Sequence, residues 1–175
     1  MRHSAIVFVL CLNVLVCAER LWAADECPAP AREFSAEFNR IKALAGEWQG
    51  TSEDRGKQEP ATVRYEITSG GTAVVETLFP GTPHEMVSVY HDEGGRLAMT
   101  HYCMLGNQPT LALTKSSFGA LALELAPGDR LSHSPEAHMH SLQIAFHGPD
   151  RLTQRWTSEQ NGKSMGTTVM NFRRK

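Results

Sequence analysis

No sign of charge dominates this chain. Lys and Arg number 17, Asp and Glu 19, and the formal net charge is -2 with His counted neutral. That balance argues against a nucleic-acid binder, which carries a basic patch, and against a polybasic membrane-surface protein. No apolar run reaches the about 20 residues of a membrane-spanning helix. Cysteine is scarce: of four, Cys11 and Cys17 fall in the opening segment, leaving Cys27 and Cys103. No G-x-S-x-G, H-E-x-x-H or phosphate-cradling glycine loop occurs, so the common hydrolase, metalloprotease and nucleotide signatures are missing. There is no internal repeat, no low-complexity tract and no β-α-β rhythm, which argues against a parallel sheet.

What is present begins with a leader. A basic start (Met1, Arg2, His3) precedes the apolar run Ala5 to Ala18 (AIVFVLCLNVLVCA), broken only by Asn13. This has the form of a signal peptide with small-residue cleavage options after Ala18 or after Ala23 or Ala24, the later cut being preferred. The organisation expected is a signal peptide over 1–24, a flexible lead-in over 25–33 and one domain over 34–175. Such a protein is secreted or periplasmic, with no stable membrane insertion after cleavage; an uncleaved N-terminal anchor is the alternative. In an oxidising compartment Cys27 and Cys103 either pair or remain two thiols.

Within the domain, Phe34, Phe38, Ile41 and Ala45 recur at helical spacing between an N-cap at Ser35 and a stop at Gly46, predicting one short amphipathic helix. The period then changes to two. About ten short strands follow, separated by turn signals such as Ser69-Gly70-Gly71, Asp92-Glu93-Gly94-Gly95 and Gln160-Asn161-Gly162. Residues 126–139 form the one long loop. An all-antiparallel chain of this size buries its sheet by closing it, so the fold expected is an up-and-down β-barrel able to hold a small ligand.

Gly46-Glu47-Trp48-Gln49-Gly50 carries G-x-W-x-G at the start of the first strand and resembles the calycin superfamily of lipocalins, fatty-acid-binding proteins and nitrobindin-like haem barrels. The resemblance implies that Trp48 closes one end of the barrel and that Arg173 or Arg174, on the last strand, lies as a cation over its face. A longer set of segments, Gly70 to Gly81, Pro83 to Met86, Thr100 to Cys103, Asn107 to Pro109 and Ala137 to Leu142, resembles a family of uncharacterised exported bacterial proteins. That likeness implies no activity.

The candidate ligand-lining residues are Glu76, His84, Met86, His101, Cys103, His140 and Trp156, for a small hydrophobic or amphipathic molecule. Glu76 interrupts an apolar strand. Facing inward with Val74 and Leu78 it needs a partner such as Arg64 or His101; facing outward it is solvated. His101 and Cys103 share a strand face with Leu97 and Met99, and His140 shares one with Leu142, Ile144 and Phe146. Two such pairs, His101 with Cys103 and His138 with His140, supply the donor types of a zinc site. His84, His138, His140, Met86 or Met139 could ligate a haem. Cysteine and histidine two apart on one strand are about 7 Å apart, too far for direct proton transfer, so a Cys103–His101 nucleophile couple is disfavoured. The cofactor is left open. Three readings compete: a small-molecule-binding barrel, a metal- or haem-binding protein or enzyme, and an envelope interaction protein with a filled barrel.

Overall fold

The computed structural model of the protein describes residues 33–175. The expected leader, nearly all of the lead-in and Cys27 lie outside the described residues. Helix α1 (Ala36–Lys42) starts where Ser35 Oγ accepts from the Phe38 amide at 3.2 Å, satisfying one unpaired donor of the first turn. Glu37 in the first turn and Arg40 and Lys42 in the last complement the helix dipole, and Phe38 and Ile41 are fully buried. The helix stops four residues short of the expected Gly46. Its last carbonyls accept from the amides of Ala43, Leu44 and Ala45, whose own carbonyls find partners further off: Trp48 Nε1 donates to Leu44 O at 2.8 Å, and Arg174 donates to Ala45 O at 2.7 Å and Ala43 O at 3.0 Å. Gly46, with φ at +125°, turns the chain and opens the first strand instead.

Ten strands follow: β1 (Gly46–Asp54), β2 (Lys57–Thr68), β3 (Ala73–Leu78), β4 (Met86–Glu93), β5 (Arg96–Tyr102), β6 (Thr110–Ser116), β7 (Ala120–Leu125), β8 (His138–Phe146), β9 (Arg151–Gln160) and β10 (Lys163–Arg174). Each pairs antiparallel with its neighbour in sequence, and β1 pairs with β10, so the sheet closes into a barrel. The long loop carries one 3-10 turn, Arg130–His133. Residues 53–60, charged and containing Pro60, carry no alternation, yet they extend the β1–β2 hairpin. Proline is tolerated there for a local reason. Thr62 O accepts from Phe79 N, so residue 62, and by alternation residue 60, faces the β3 side. The β2–β3 pairing begins only at Val63↔Leu78, so Pro60 withholds no ladder bond.

Helix α1 covers one end of the barrel. Its Arg40 donates to Ser117 O at 2.7 Å and Phe118 O at 3.1 Å, in the β6–β7 turn, and the Ser35 amide donates to Asp92 on β4. Trp48 closes the same end, 1% exposed, with the Arg174 guanidinium 4.3 Å from its ring. Of the two expected cations, Arg174 takes this place and Arg173 does not. Trp48 stands opposite Arg174 across the β1–β10 seam, whereas Arg173 pairs with Gln49 on the outer face and is exposed. We expect Arg174→Ala to lower stability by about 1–2 kcal/mol, from the lost ring contact and uncapped carbonyls. Arg173→Ala stays within about 0.5 kcal/mol. Urea unfolding of the two variants separates them.

Candidate ligand site

Three inward residues stand in register across neighbouring strands: Glu76 on β3 opposite Ser88 on β4, and Ser88 opposite His101 on β5. Glu76 faces inward with Val74 and Leu78 and is fully buried. The Tyr65 and Tyr90 hydroxyls donate to its two oxygens at 2.9 and 2.8 Å, and the Gln154 amide donates to it as well. Gln154 is held in that orientation by Trp156, whose Nε1 donates to Gln154 Oε1 at 3.0 Å. Neither expected partner bonds Glu76: Arg64 points outward beside Glu66, and His101 hydrogen-bonds Ser88 instead. Burial raises the Glu76 carboxyl above its ordinary range, and Gln154, the two tyrosines and the nearby Ser88 hydroxyl oppose that rise without cancelling it. Both tyrosine hydroxyls are pushed well up, first by burial and then by Glu76, so they stay protonated.

His101 is 1% exposed. Its Nδ1 is 3.0 Å from Ser88 Oγ and its ring centroid is 4.7 Å from that of Trp156. Its Nε2 is buried with no hydrogen-bond partner. Burial pushes the imidazole pKa down to about 4, so it is neutral near pH 7. In the tautomer whose Nδ1–H donates to Ser88 Oγ, Nε2 carries a bare lone pair.

His101 lines a cavity of about 130 Å³, together with Ser52, Leu78, Phe79, Met86, Met139, Trp156, Thr168 and Met170. The cavity lies away from α1: β3 and β5 end there, and β4 and β8 begin there. Met139 reaches it through a β-bulge. Residue 142 pairs with Trp156 and residue 139 with Ser158, so β8 carries one extra residue, His140, between Met139 and Ser141. The bulge shifts the alternation and brings Met139 to the inner face. A wider concavity of about 840 Å³ lies on the outer face of β2, β1, β10 and β9, among polar side chains such as Gln49, Thr62, Arg151 and Arg173. It is open to solvent and contains no buried polar atom without a partner.

Of the sequence-derived candidates, Met86, His101 and Trp156 therefore line one cavity, and Glu76 stands directly behind His101. His84, Cys103 and His140 do not line it. His84 is exposed in the β3–β4 connection, its amide donating to Thr82 Oγ1 at 3.1 Å. Cys103 lies beyond the end of β5 as a half-buried free thiol, its pKa raised by burial. His140, carried outward by the bulge, points Nδ1 at Glu159 Oε2 at 3.3 Å and at His138 Nε2 at 3.4 Å. His138 Nδ1 donates to Glu136 O at 2.9 Å. The set His101, Cys103, His138 and His140 is not brought together, and among the described residues no group of three or more His, Cys, Asp or Glu could hold a metal ion. Ser88, Tyr65, Tyr90, Gln154 and Met170 were not singled out in the sequence. Only the strand register, which pairs 65 with 76, 76 with 88 and 88 with 101, identifies Tyr65 and Ser88.

No protein-family model matches the sequence, and no curated protein does. Among solved structures, the fold is similar to the crystal structure of a protein of unknown function from the DUF3598 family of Nostoc punctiforme PCC 73102. The TM-score is 0.53 and the identity 15%, over 77% of this chain and 49% of that one. This chain spans about half the length of that protein, and the likeness is one of fold alone.

Proposed function

We propose that the protein is an exported, calycin-like barrel that binds a small guest in the cavity beside His101. The observation that carries this reading is the His101 Nε2 atom. A buried nitrogen without a partner costs about 1–3 kcal/mol, and here it belongs to a side chain that lines a cavity. A guest that satisfies Nε2 recovers that cost. Size limits the guest. Drug-sized ligands occupy pockets of about 300–1,000 Å³, so a fatty acid or a haem exceeds the cavity's 130 Å³. A cavity of about 150 Å³ holds benzene. The guest is therefore no larger than a single ring, with either a donor or an electron-pair acceptor at the Nε2 position.

Two measurements test this. Phenol, one ring with one O–H donor, is expected to raise the melting temperature of the protein in proportion to its concentration. His101→Phe keeps a flat ring against Trp156 and removes the unpaired nitrogen. That variant is expected to be more stable than the parent by about 1 kcal/mol and to lose the response to phenol. A less stable His101→Phe variant, or phenol protection that survives it, contradicts the reading.

A further inference from the structure

The cavity's donors are of one kind. Of seven methionines, three come from separate strands to the same small space: Met86 from β4, Met139 from the β8 bulge and Met170 from β10. Opposite them stands the only nitrogen base in the lining, His101, with its Nε2 unpaired. The lining contains no carboxylate and no thiol; its oxygens are the hydroxyls of Ser52 and Thr168. Hard cations require carboxylate or carbonyl oxygen, and zinc sites are built from thiolate, imidazole and carboxylate. Thioethers are soft, neutral donors that select Cu(I), and imidazole is compatible with it.

We infer that the cavity is a site for a soft monovalent cation, Cu(I), held by the three methionine sulfurs and His101 Nε2. This inference rests on the ligand-pocket reading above and names the class of guest.

The surroundings of His101 are those of a metal-ligating imidazole. Such residues generally give their other ring N–H to an oxygen that is itself anchored, which fixes the tautomer and turns the lone pair toward the metal. Here Nδ1 lies 3.0 Å from Ser88 Oγ, and Ser88 stands in register between His101 and Glu76. The Trp156 ring, tilted 40° against His101, adds an aromatic surface to the wall. Access is from the end away from α1, where Met86 and Met139 are only partly buried.

The test uses Ag(I), a soft ion of the same charge that needs no reductant, on the purified full chain with Cys11, Cys17, Cys27 and Cys103 changed to Ser. Native mass spectrometry and tryptophan fluorescence are expected to give one Ag(I) per chain with quenched emission, no response to Zn(II), and competition by Cu(I) under anaerobic conditions. Met139→Leu and Met170→Leu preserve volume and apolar character. Each is expected to weaken Ag(I) binding at least by the about tenfold that even an outer-shell partner contributes to a metal site, with an unchanged melting temperature in the absence of metal. Absence of Ag(I) binding, or full affinity in both methionine variants, overturns the inference. If Ag(I) fails to bind while phenol still protects the parent, the cation is wrong and the pocket reading stands. If neither binds, both fall.

Discussion

Glu76→Ala is expected to destabilise the barrel by about 3–5 kcal/mol, the usual cost of removing one member of a buried charged network. The carboxyl group is the common acceptor of Tyr65, Tyr90 and Gln154, all at most 1% exposed. Alanine leaves these donors facing one another in a dry interior, and no water replaces the acceptor unless the cavity fills. Glu76→Gln keeps the shape and one acceptor oxygen, so it costs less and changes the pH dependence. The carboxyl is raised in the folded state relative to about 4.3 in the unfolded chain, so its favourable contribution is complete below that unfolded value. It is lost as pH rises through the folded value. His101 acts in the opposite sense. Its folded pKa of about 4 lies below the unfolded value near 6.5, so its contribution is present above 6.5 and lost as pH falls toward 4. The parent is therefore expected to lose stability relative to Glu76→Gln as pH rises above about 4.3, and relative to His101→Phe as pH falls below about 6.5. Urea midpoints of the three proteins measured from pH 4 to pH 9 read both differences. A Glu76→Gln curve that stays parallel to the parent's as pH rises contradicts the assignment of Glu76.

The architecture was legible because it rests on short-range signals. Period-two alternation and turn residues mark ten strands, and a capped apolar stripe marks the single helix. What could not be read depends on register. Whether Glu76 faces in follows only from its pairing with Tyr65 and Ser88. The inward placement inferred for His140 by counting in twos from Leu142 fails because one extra residue enters β8 at that point. The bulge that displaces His140 is also what makes Met139 part of the site. Likewise Arg173 and Arg174 are equivalent in a pattern of charges, and the β1–β10 register alone decides which one meets Trp48. The donors around Glu76 lie on β2, β4 and β9, far apart in sequence, and tyrosine or glutamine in a strand gives no local sign of such convergence.

The second large effect is expected at the seam itself. Gly50→Ala is expected to cost on the order of 4 kcal/mol, although it adds one methyl group to a residue with ordinary strand geometry. A Cβ on Gly50 would lie 1.8 Å from the Asn171 carbonyl oxygen and 2.8 Å from its carbon. These are backbone atoms of β10, so no side chain can move aside; the strand must. Gly50 stands opposite Phe172, between the Trp48↔Arg174 and Ser52↔Met170 pairs. Pushing β10 outward here disturbs the pairs on both sides of Gly50 at once. The Arg174 contact with Trp48 loosens on the α1 side, and Met170 withdraws from the cavity on the other. The two glycines of the G-x-W-x-G segment thus have separate physical reasons: Gly46 for its positive φ, Gly50 for the closeness of β10. A control at Gly56, in the β1–β2 turn, distinguishes crowding from backbone strain. A Cβ there meets nothing, but φ is +79°, so Gly56→Ala costs only the roughly 1–2 kcal/mol of the left-handed region. Equal losses for Gly50→Ala and Gly56→Ala would show that the seam yields more easily than its geometry implies. A loss at Gly50 that exceeds the Gly56 loss about twofold, accompanied by weakened phenol protection, identifies the β1–β10 closure as the element that holds the pocket in shape.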